Sequence, residues 1–340
     1  MKTSHLYELD GWQTARGVLP PLLVATVLAL LLQAACRLNW LPPPRARSDP
    51  DQTVLAYKRR VSRARHPARI LLTGDSACMT GVEPGLLSAN LPGREAVLNL
   101  GLIIGLDLAT YGEVVADFIR ANPSQVECVV LLVTPQKLRS EEESAEFLRL
   151  WRRLGSELDD GGEVRPPGHG FGLGEPRERL LGRVVTRPLR GTGADHYGFP
   201  RGIWDYLEAH QGAVLDWASY QPGSRPQPPD YVLAPSRETS SRRLRVLIPR
   251  EVRLVVGLMP VPESLRAPEA VRKRDELLDD WNRWLEADQL LKHLPAVLPD
   301  GLFASGAHLN SEGQRRFTSQ LALELRRLPP GPERTGGGDN

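Results

Sequence analysis

The sequence predicts an α/β fold: a three-layer α/β/α sandwich with a mostly parallel central sheet, preceded by one N-terminal transmembrane helix. Three observations lead to this prediction. Short apolar runs recur along the chain and are separated by segments of helical period. An uncharged apolar run precedes all of them. The 31 glycines and 30 prolines among 340 residues imply long irregular stretches between these elements.

The uncharged run covers residues 17–35, GVLPPLLVATVLALLLQAA. It approaches the ~20 residues that cross a bilayer core as a helix, and it is apolar on every face, which disfavours a buried globular helix. We therefore expect a cytoplasmic tail over residues 1–16, a transmembrane helix over residues 17–36, and a large body beyond the membrane. Two alternatives remain open, a cleaved signal peptide and a lipoprotein acylated at Cys36.

The body of the chain alternates between predicted strands and predicted helices. Apolar runs predict strands, and helical periods predict helices, at 69–73 (strand), 96–100 (strand), 106–121 (helix), 126–133 (strand), 252–258 (strand), 268–290 (helix) and 311–325 (helix). Strands that alternate with helices along the chain form right-handed crossovers and a parallel sheet. The domain is expected over residues 67–328. Residues 37–66, rich in proline and arginine, predict a linker with one short helix, and residues 329–340 predict a disordered tail.

The alternation breaks between about residues 139 and 246. Two segments there, 141–154 and 202–218, have helical character, but glycine- and proline-rich loops separate them. We interpret this stretch as an insertion. It begins after the carboxyl end of a strand, which is the edge where ligands bind in open α/β sheets, so it could form a lid, a partner surface or simple decoration.

Composition excludes several classes of protein. The chain has 43 basic and 41 acidic residues, and a net charge of +2 lacks the clustered cationic surplus that nucleic-acid binding needs. Its three cysteines, Cys36, Cys78 and Cys128, cannot form a disulfide framework and lack the spacing of a zinc site. We expect no nucleic-acid partner, no metal and no cofactor.

Two short motifs carry the candidate chemistry. Gly74-Asp75-Ser76 follows the first predicted strand of the body, where a serine on a tight strand-to-helix turn can project its hydroxyl free of the sheet. The second motif, GAHLNSEG at residues 306–313, precedes the last predicted helix, which Asn310 or Ser311 would cap. Either motif alone is common in loops. Their position at the two ends of one α/β domain is more specific.

Together the motifs resemble those of the SGNH/GDSL hydrolase superfamily, which has a nucleophilic serine in a GDS triplet and a histidine near the end of the domain. The resemblance covers about residues 67–137 and 250–327, and it implies a three-layer, flavodoxin-like sandwich. It further implies that Ser76 is the nucleophile and His308 the general base. Within the superfamily, the chain is most similar to membrane-anchored bacterial proteins with a periplasmic body, several of which acylate cell-envelope polymers.

Asn99-Leu100-Gly101 followed by Gly105 resembles a second sequence block of the family, which follows the serine motif. In the family, a glycine N–H from this block joins the serine N–H in the oxyanion hole. The spacing does not distinguish Gly101 from Gly105, so both are candidates for that donor.

Two positions depart from the family pattern. The oxyanion asparagine after the third strand is absent, and Gln136 is the nearest side-chain amide. Losing one oxyanion donor costs about 10²–10³ in rate. The acid three residues before the histidine is replaced by Ser305. Removing the acid of a triad costs about 10⁴ in kcat, unless Asp300 or Glu312 substitutes for it.

Two hypotheses follow for function. In the first, the protein is a membrane-anchored esterase or O-acyltransferase that acts on acyl esters of envelope polysaccharide, with its body outside the bacterial inner membrane. In the second, it is an inactive descendant of the same fold that binds glycan or assists assembly in the cell envelope. Ser76 with His308 favours the first hypothesis, whereas Gln136 and Ser305 favour the second. Two distances distinguish them: whether Ser76 Oγ lies within hydrogen-bond reach of a His308 nitrogen, and whether any carboxylate reaches the other nitrogen.

Overall fold

The chain divides into two units. A computed structural model describes residues 50–103, 106–139, 145–159, 203–215 and 228–327, together with residues 20, 21, 23, 24, 26–28 and 31. The unit formed by Asp49–Val164 and Gly193–Asn340 contains the sheet and both motifs.

Five parallel strands form the central sheet of this unit. Together with two strands outside that sheet, the described strands are β1 (Ile70–Gly74), β2 (Val97–Asn99), β3 (Cys128–Val133), β4 (Arg253–Leu258), β5 (Val261–Pro262), β6 (Gln289–Leu290) and β7 (Val297–Leu298). Their order in the sheet is β2-β1-β3-β4-β6, every pair is parallel, and β5 and β7 form a separate two-stranded parallel pair. The predicted α/β class with a mostly parallel sheet is confirmed. The order reverses at β1, which lies between β2 and β3.

Helices cover both faces of the sheet. They are α1 (Pro50–Val61), α2 (Ser76–Gly81), α3 (Pro84–Asn90), α4 (Leu108–Ala121), α5 (Pro135–Arg139), α6 (Ala145–Asp159), α7 (Ile203–Ala209), α8 (Arg237–Leu247), α9 (Ala270–Leu285) and α10 (Ser311–Arg326). Side chains alternate across a pleated strand, so β3 contributes to two apolar clusters. Val129, Leu131 and Val133 pack with α4, α8 and α9. Cys128 and Val130, from the opposite face, pack with α2, α3 and α10.

Helix α8 lies within the stretch that the sequence assigns to an insertion, 139–246, yet it belongs to the sandwich. It is the last described helix before β4 and packs against α4, where Leu244 is fully buried. Ser241 on the same helix accepts a 2.9 Å hydrogen bond from the indole N–H of Trp281 in α9. The sequence of α8 does not indicate this packing, because it is rich in arginine. Residues 160–202 and 216–227 of the stretch lie outside the described residues.

Helix α1 lies within residues 37–66, which the sequence predicts to be a linker with one short helix, and it belongs to the unit that contains the sheet. Val54, Leu55 and Tyr57 are at most 4% exposed, and the Lys58 side chain is fully buried. The Lys58 ammonium donates 2.6 Å hydrogen bonds to the carbonyl oxygens of Asn99 and Gly212. The helix therefore ties the end of β2 to the segment after α7. Residues 37–49 lie outside the described residues.

Lys58 is expected to make stability depend on pH. Burial lowers the pKa of its ammonium from the usual 10.5 to about 7. Between these two values the unfolded chain holds a proton that the folded chain releases, so folding becomes more favourable as pH rises. We expect the free energy of unfolding of the wild type, relative to Lys58→Met, to increase from pH 7 to pH 9 by up to ~1.4 kcal/mol per pH unit.

Urea unfolding at each pH measures this difference. Lys273→Met, on α9, is the matched control, and its unfolding free energy should follow that of the wild type. A difference between the wild type and Lys58→Met that stays constant with pH would show that Lys58 remains charged in the folded protein.

In the other unit, Met1–Ser48 with Arg165–Thr192, the structure describes a few residues near the N-terminus. Residues 20, 21, 23, 24, 26–28 and 31 are helical, and the side chains of Leu23, Val24, Val27, Leu28 and Leu31 are exposed. Among the residues described, no helix is both long enough and apolar enough to cross a membrane. The transmembrane helix over residues 17–36 stays a prediction, and the tails 1–16 and 329–340 lie outside the described part of the chain.

Candidate active site

The first motif lies where β1 passes into α2. Gly74 ends β1 beside Leu132 of β3 with φ +148, and a Cβ atom there would lie 1.7 Å from the Leu132 carbonyl oxygen. Only glycine fits so close to a neighbouring backbone at this φ. The turn places Ser76 as the first residue of α2, at the carboxyl end of β1. The strand order reverses at this point, and such reversals form ligand crevices in open α/β sheets.

Asp75 fixes this turn in place. Its fully buried carboxylate caps α2 by accepting the Ala77 N–H at 3.0 Å. The other carboxylate oxygen accepts both the N–H and the hydroxyl of Thr134 at 2.8 Å. Burial raises the pKa of Asp75, although these hydrogen bonds and the ammonium of Lys137 oppose the shift. Asp75 thus joins the carboxyl ends of β1 and β3, a role that the sequence analysis did not assign.

The second motif holds His308 in a closed loop before α10. The His308 carbonyl oxygen accepts the N–H groups of Ala304 at 2.9 Å and Ser305 at 3.3 Å. Asn310 caps α10, so of the two predicted caps, Asn310 and Ser311, the first is confirmed. Its side-chain oxygen accepts the N–H groups of the second and third helical residues, and its amide donates to the Gly301 carbonyl at 2.7 Å. The imidazole is therefore carried by a loop that is bonded at both ends.

The two motifs meet. His308 Nε2 lies 3.0 Å from Ser76 Oγ, and these residues are 232 positions apart in the chain. His308 Nδ1 lies 2.9 Å from Ser305 Oγ. Burial lowers the pKa of His308 from its usual 6.5 to about 4, so the imidazole is neutral at physiological pH. A neutral imidazole within hydrogen-bond reach of a serine hydroxyl can serve as a general base.

The two predicted substitutes for the triad acid, Asp300 and Glu312, stay predictions. The exposed carboxylate of Asp300 accepts the Ser264 N–H at 2.9 Å. Glu312 is exposed in the first turn of α10, and its N–H is bonded to the Asn310 cap. A serine hydroxyl, that of Ser305, faces Nδ1 where a triad has its carboxylate.

Gly101, a predicted oxyanion donor, uses its N–H within the protein. Its N–H donates a 2.8 Å hydrogen bond to Asn99 Oδ1, and the Asn99 amide in turn donates to the Cys78 carbonyl. A Cβ at Gly101 would lie 2.8 Å from the backbone nitrogen of Met79. Gly101 is thus a packing position beneath α2, and its N–H is already used.

The other oxyanion candidates remain predictions. Gly105 lies outside the described residues. Gln136 is partly buried on α5, directly after β3 and two residues beyond Thr134. Cys78 is a buried free cysteine, and burial raises the pKa of its thiol, which agrees with the interpretation of this residue as core rather than nucleophile.

Comparison of the chain with protein-family models and with curated proteins finds no match.

Proposed function

We propose that the protein is an SGNH-type serine esterase or O-acyltransferase with the flavodoxin-like three-layer sandwich of that superfamily. In this proposal one N-terminal helix anchors the chain in the bacterial inner membrane, and the body lies outside the cytoplasm. The substrates are acyl esters of cell-envelope polysaccharide. The 3.0 Å contact between Ser76 Oγ and His308 Nε2 carries the proposal. Its place at the carboxyl end of β1, where the strand order reverses, supports it.

The proposed reaction is acyl transfer through a covalent intermediate. Ser76 Oγ attacks the ester carbonyl carbon while His308 Nε2 takes the hydroxyl proton. The tetrahedral intermediate then collapses, the bond to the alcohol breaks, and His308 returns the proton to the leaving oxygen. Water releases the acid in hydrolysis, whereas a polymer hydroxyl accepts the acyl group in transfer.

The negative oxygen of the intermediate needs hydrogen-bond donors. The Ser76 N–H is the first of these, since it belongs to the nucleophile itself and opens α2. Gly105 and Gln136 are the candidates for the second donor. The reaction requires no metal and no cofactor.

A fluorophosphonate probe tests the proposal on the purified full-length protein. We expect covalent labelling of the wild type and complete loss of labelling in Ser76→Ala. Ser319→Ala, which removes an exposed serine of α10, is the matched control and should label like the wild type. A folded wild-type protein that stays unlabelled would contradict the proposal.

That outcome would favour the second candidate, an inactive protein of the same fold that binds glycan or assists assembly in the envelope. Two observations support this candidate. A hydroxyl occupies the position facing His308 Nδ1, and the Gly101 N–H is bonded within the protein. Calorimetric titration with acylated and deacylated envelope glycans would then measure binding directly.

A further inference from the structure

The hydroxyl of Ser305 makes three contacts within hydrogen-bond distance. It accepts the backbone N–H of His308 at 3.2 Å and makes a longer contact with the N–H of Ala307 at 3.5 Å. Its third contact is the 2.9 Å approach to His308 Nδ1. In the first two contacts the Ser305 oxygen must be the acceptor, because a backbone N–H only donates.

The remaining proton of Ser305 has one acceptor among the described residues. A hydroxyl has two lone pairs and one hydrogen, and the two N–H groups occupy the lone pairs. The hydrogen is then left for Nδ1, which lies closest to Ser305 Oγ. A neutral imidazole that accepts at one nitrogen carries its proton on the other. In His308 the proton is then on Nε2, which faces Ser76.

We infer that Ser305 is a positioning residue that holds His308 in the tautomer protonated at Nε2, an inference that rests on the proposed function of the Ser76–His308 pair. In this tautomer His308 donates a hydrogen bond to Ser76 and cannot take its proton. Ser76 is therefore unreactive for as long as His308 stays in this tautomer. Activation requires the imidazole proton to leave Nε2 and a proton to be taken up at Nδ1, while the Ser305 hydroxyl rotates to accept a hydrogen bond from Nδ1–H. The Nε2 lone pair is then free for Ser76.

A carboxylate at residue 305 would impose the opposite state. A carboxylate has acceptors only, so it requires a proton on Nδ1 and leaves the Nε2 lone pair for the serine. Ser305→Asp should therefore switch the tautomer of His308. The loss of a correctly placed carboxylate costs about 10⁴ in kcat in enzymes with an acid, so gaining one should raise the reactivity of Ser76. We expect fluorophosphonate labelling at least tenfold faster than in the wild type.

Long-range ¹H–¹⁵N spectra of the full-length protein, labelled with ¹⁵N-histidine, report the tautomer directly. His308→Gln assigns the signals. We expect the Nε2–H tautomer in the wild type and in Ser305→Thr, which keeps the hydroxyl. We expect the Nδ1–H tautomer in Ser305→Asp. If Ser305→Asp does not fold, Ser305→Ala serves instead, and its signals should show a mixture of the two tautomers.

A wild-type His308 protonated at Nδ1 would overturn the inference, as would a Ser305→Asp or Ser305→Ala variant whose tautomer is unchanged. The spectra do not depend on catalysis. If they show the expected tautomers while neither the wild type nor Ser305→Asp labels, the inference stands and the proposed enzymatic function fails.

Discussion

Replacing Gly74 by alanine is expected to destabilise the domain by about 4 kcal/mol or more, which is exceptional for a single substitution. The added Cβ would lie 1.7 Å from the carbonyl oxygen of Leu132. Leu132 cannot retreat, because β3 pairs with β1 on one side and with β4, through Gly257, on the other. The φ of +148 at Gly74 is also strained for any residue with a side chain. Urea unfolding followed by circular dichroism measures the loss.

Gly301→Ala provides the control for this substitution. A Cβ at Gly301 meets no atom within 4 Å, so we expect the unfolding free energy to change by less than about 0.5 kcal/mol. An unchanged unfolding midpoint in Gly74→Ala would show that the strand end relaxes, and would refute the close approach of β1 to β3.

The reactivity of Ser76 is expected to persist in acid far below the range of an ordinary histidine. Burial lowers the pKa of His308 to about 4, so most of the imidazole is still neutral at pH 5. A histidine with the usual pKa of 6.5 would be mostly protonated there, with a neutral fraction about 30-fold smaller. We expect the labelling rate to fall by half near pH 4.

Labelling rates from pH 3.5 to pH 8 measure this profile, with circular dichroism at each pH to exclude unfolding. The control is necessary because the same shift lowers stability in acid. Between pH 4 and pH 6.5 the unfolded chain binds a proton at His308 that the folded chain does not, so folding weakens as pH falls. A midpoint near 6.5 in folded protein would contradict the lowered pKa of His308.

The elements that the sequence predicted well are those with a strong local pattern. The strands β1, β3 and β4 and the helices α4 and α10 begin and end within about two residues of the predicted boundaries. Each shows a run of buried apolar positions with the period of its own structure, and the Asn310 cap is equally local. Such patterns depend on neighbours in the chain, so they can be interpreted without the fold.

The packing of α1 and α8 was hard to predict from the sequence because both helices bury cationic side chains. Lys58 in α1 and Arg237 and Arg245 in α8 are all less than 5% exposed. A sequence pattern assigns such residues to the surface, because burying a charge is costly without partners. Two of them have backbone carbonyl oxygens as partners, those of Asn99 and Gly212 for Lys58 and that of Ile248 for Arg245. For Lys58 these carbonyls are brought close only by the fold.

In the candidate site, too, local sequence patterns identified some features and the fold created the others. The sequence by itself identified Ser76 and His308, since their residue types and their motifs are local, and it located Ser305 at the position of the missing acid. Only the tertiary structure brought Ser76 and His308 to 3.0 Å and joined Asp75 to Thr134. Hydrogen bonds are decided within a few tenths of an ångström. Chain segments far apart in sequence reach that distance only when the whole sheet and its helices are packed.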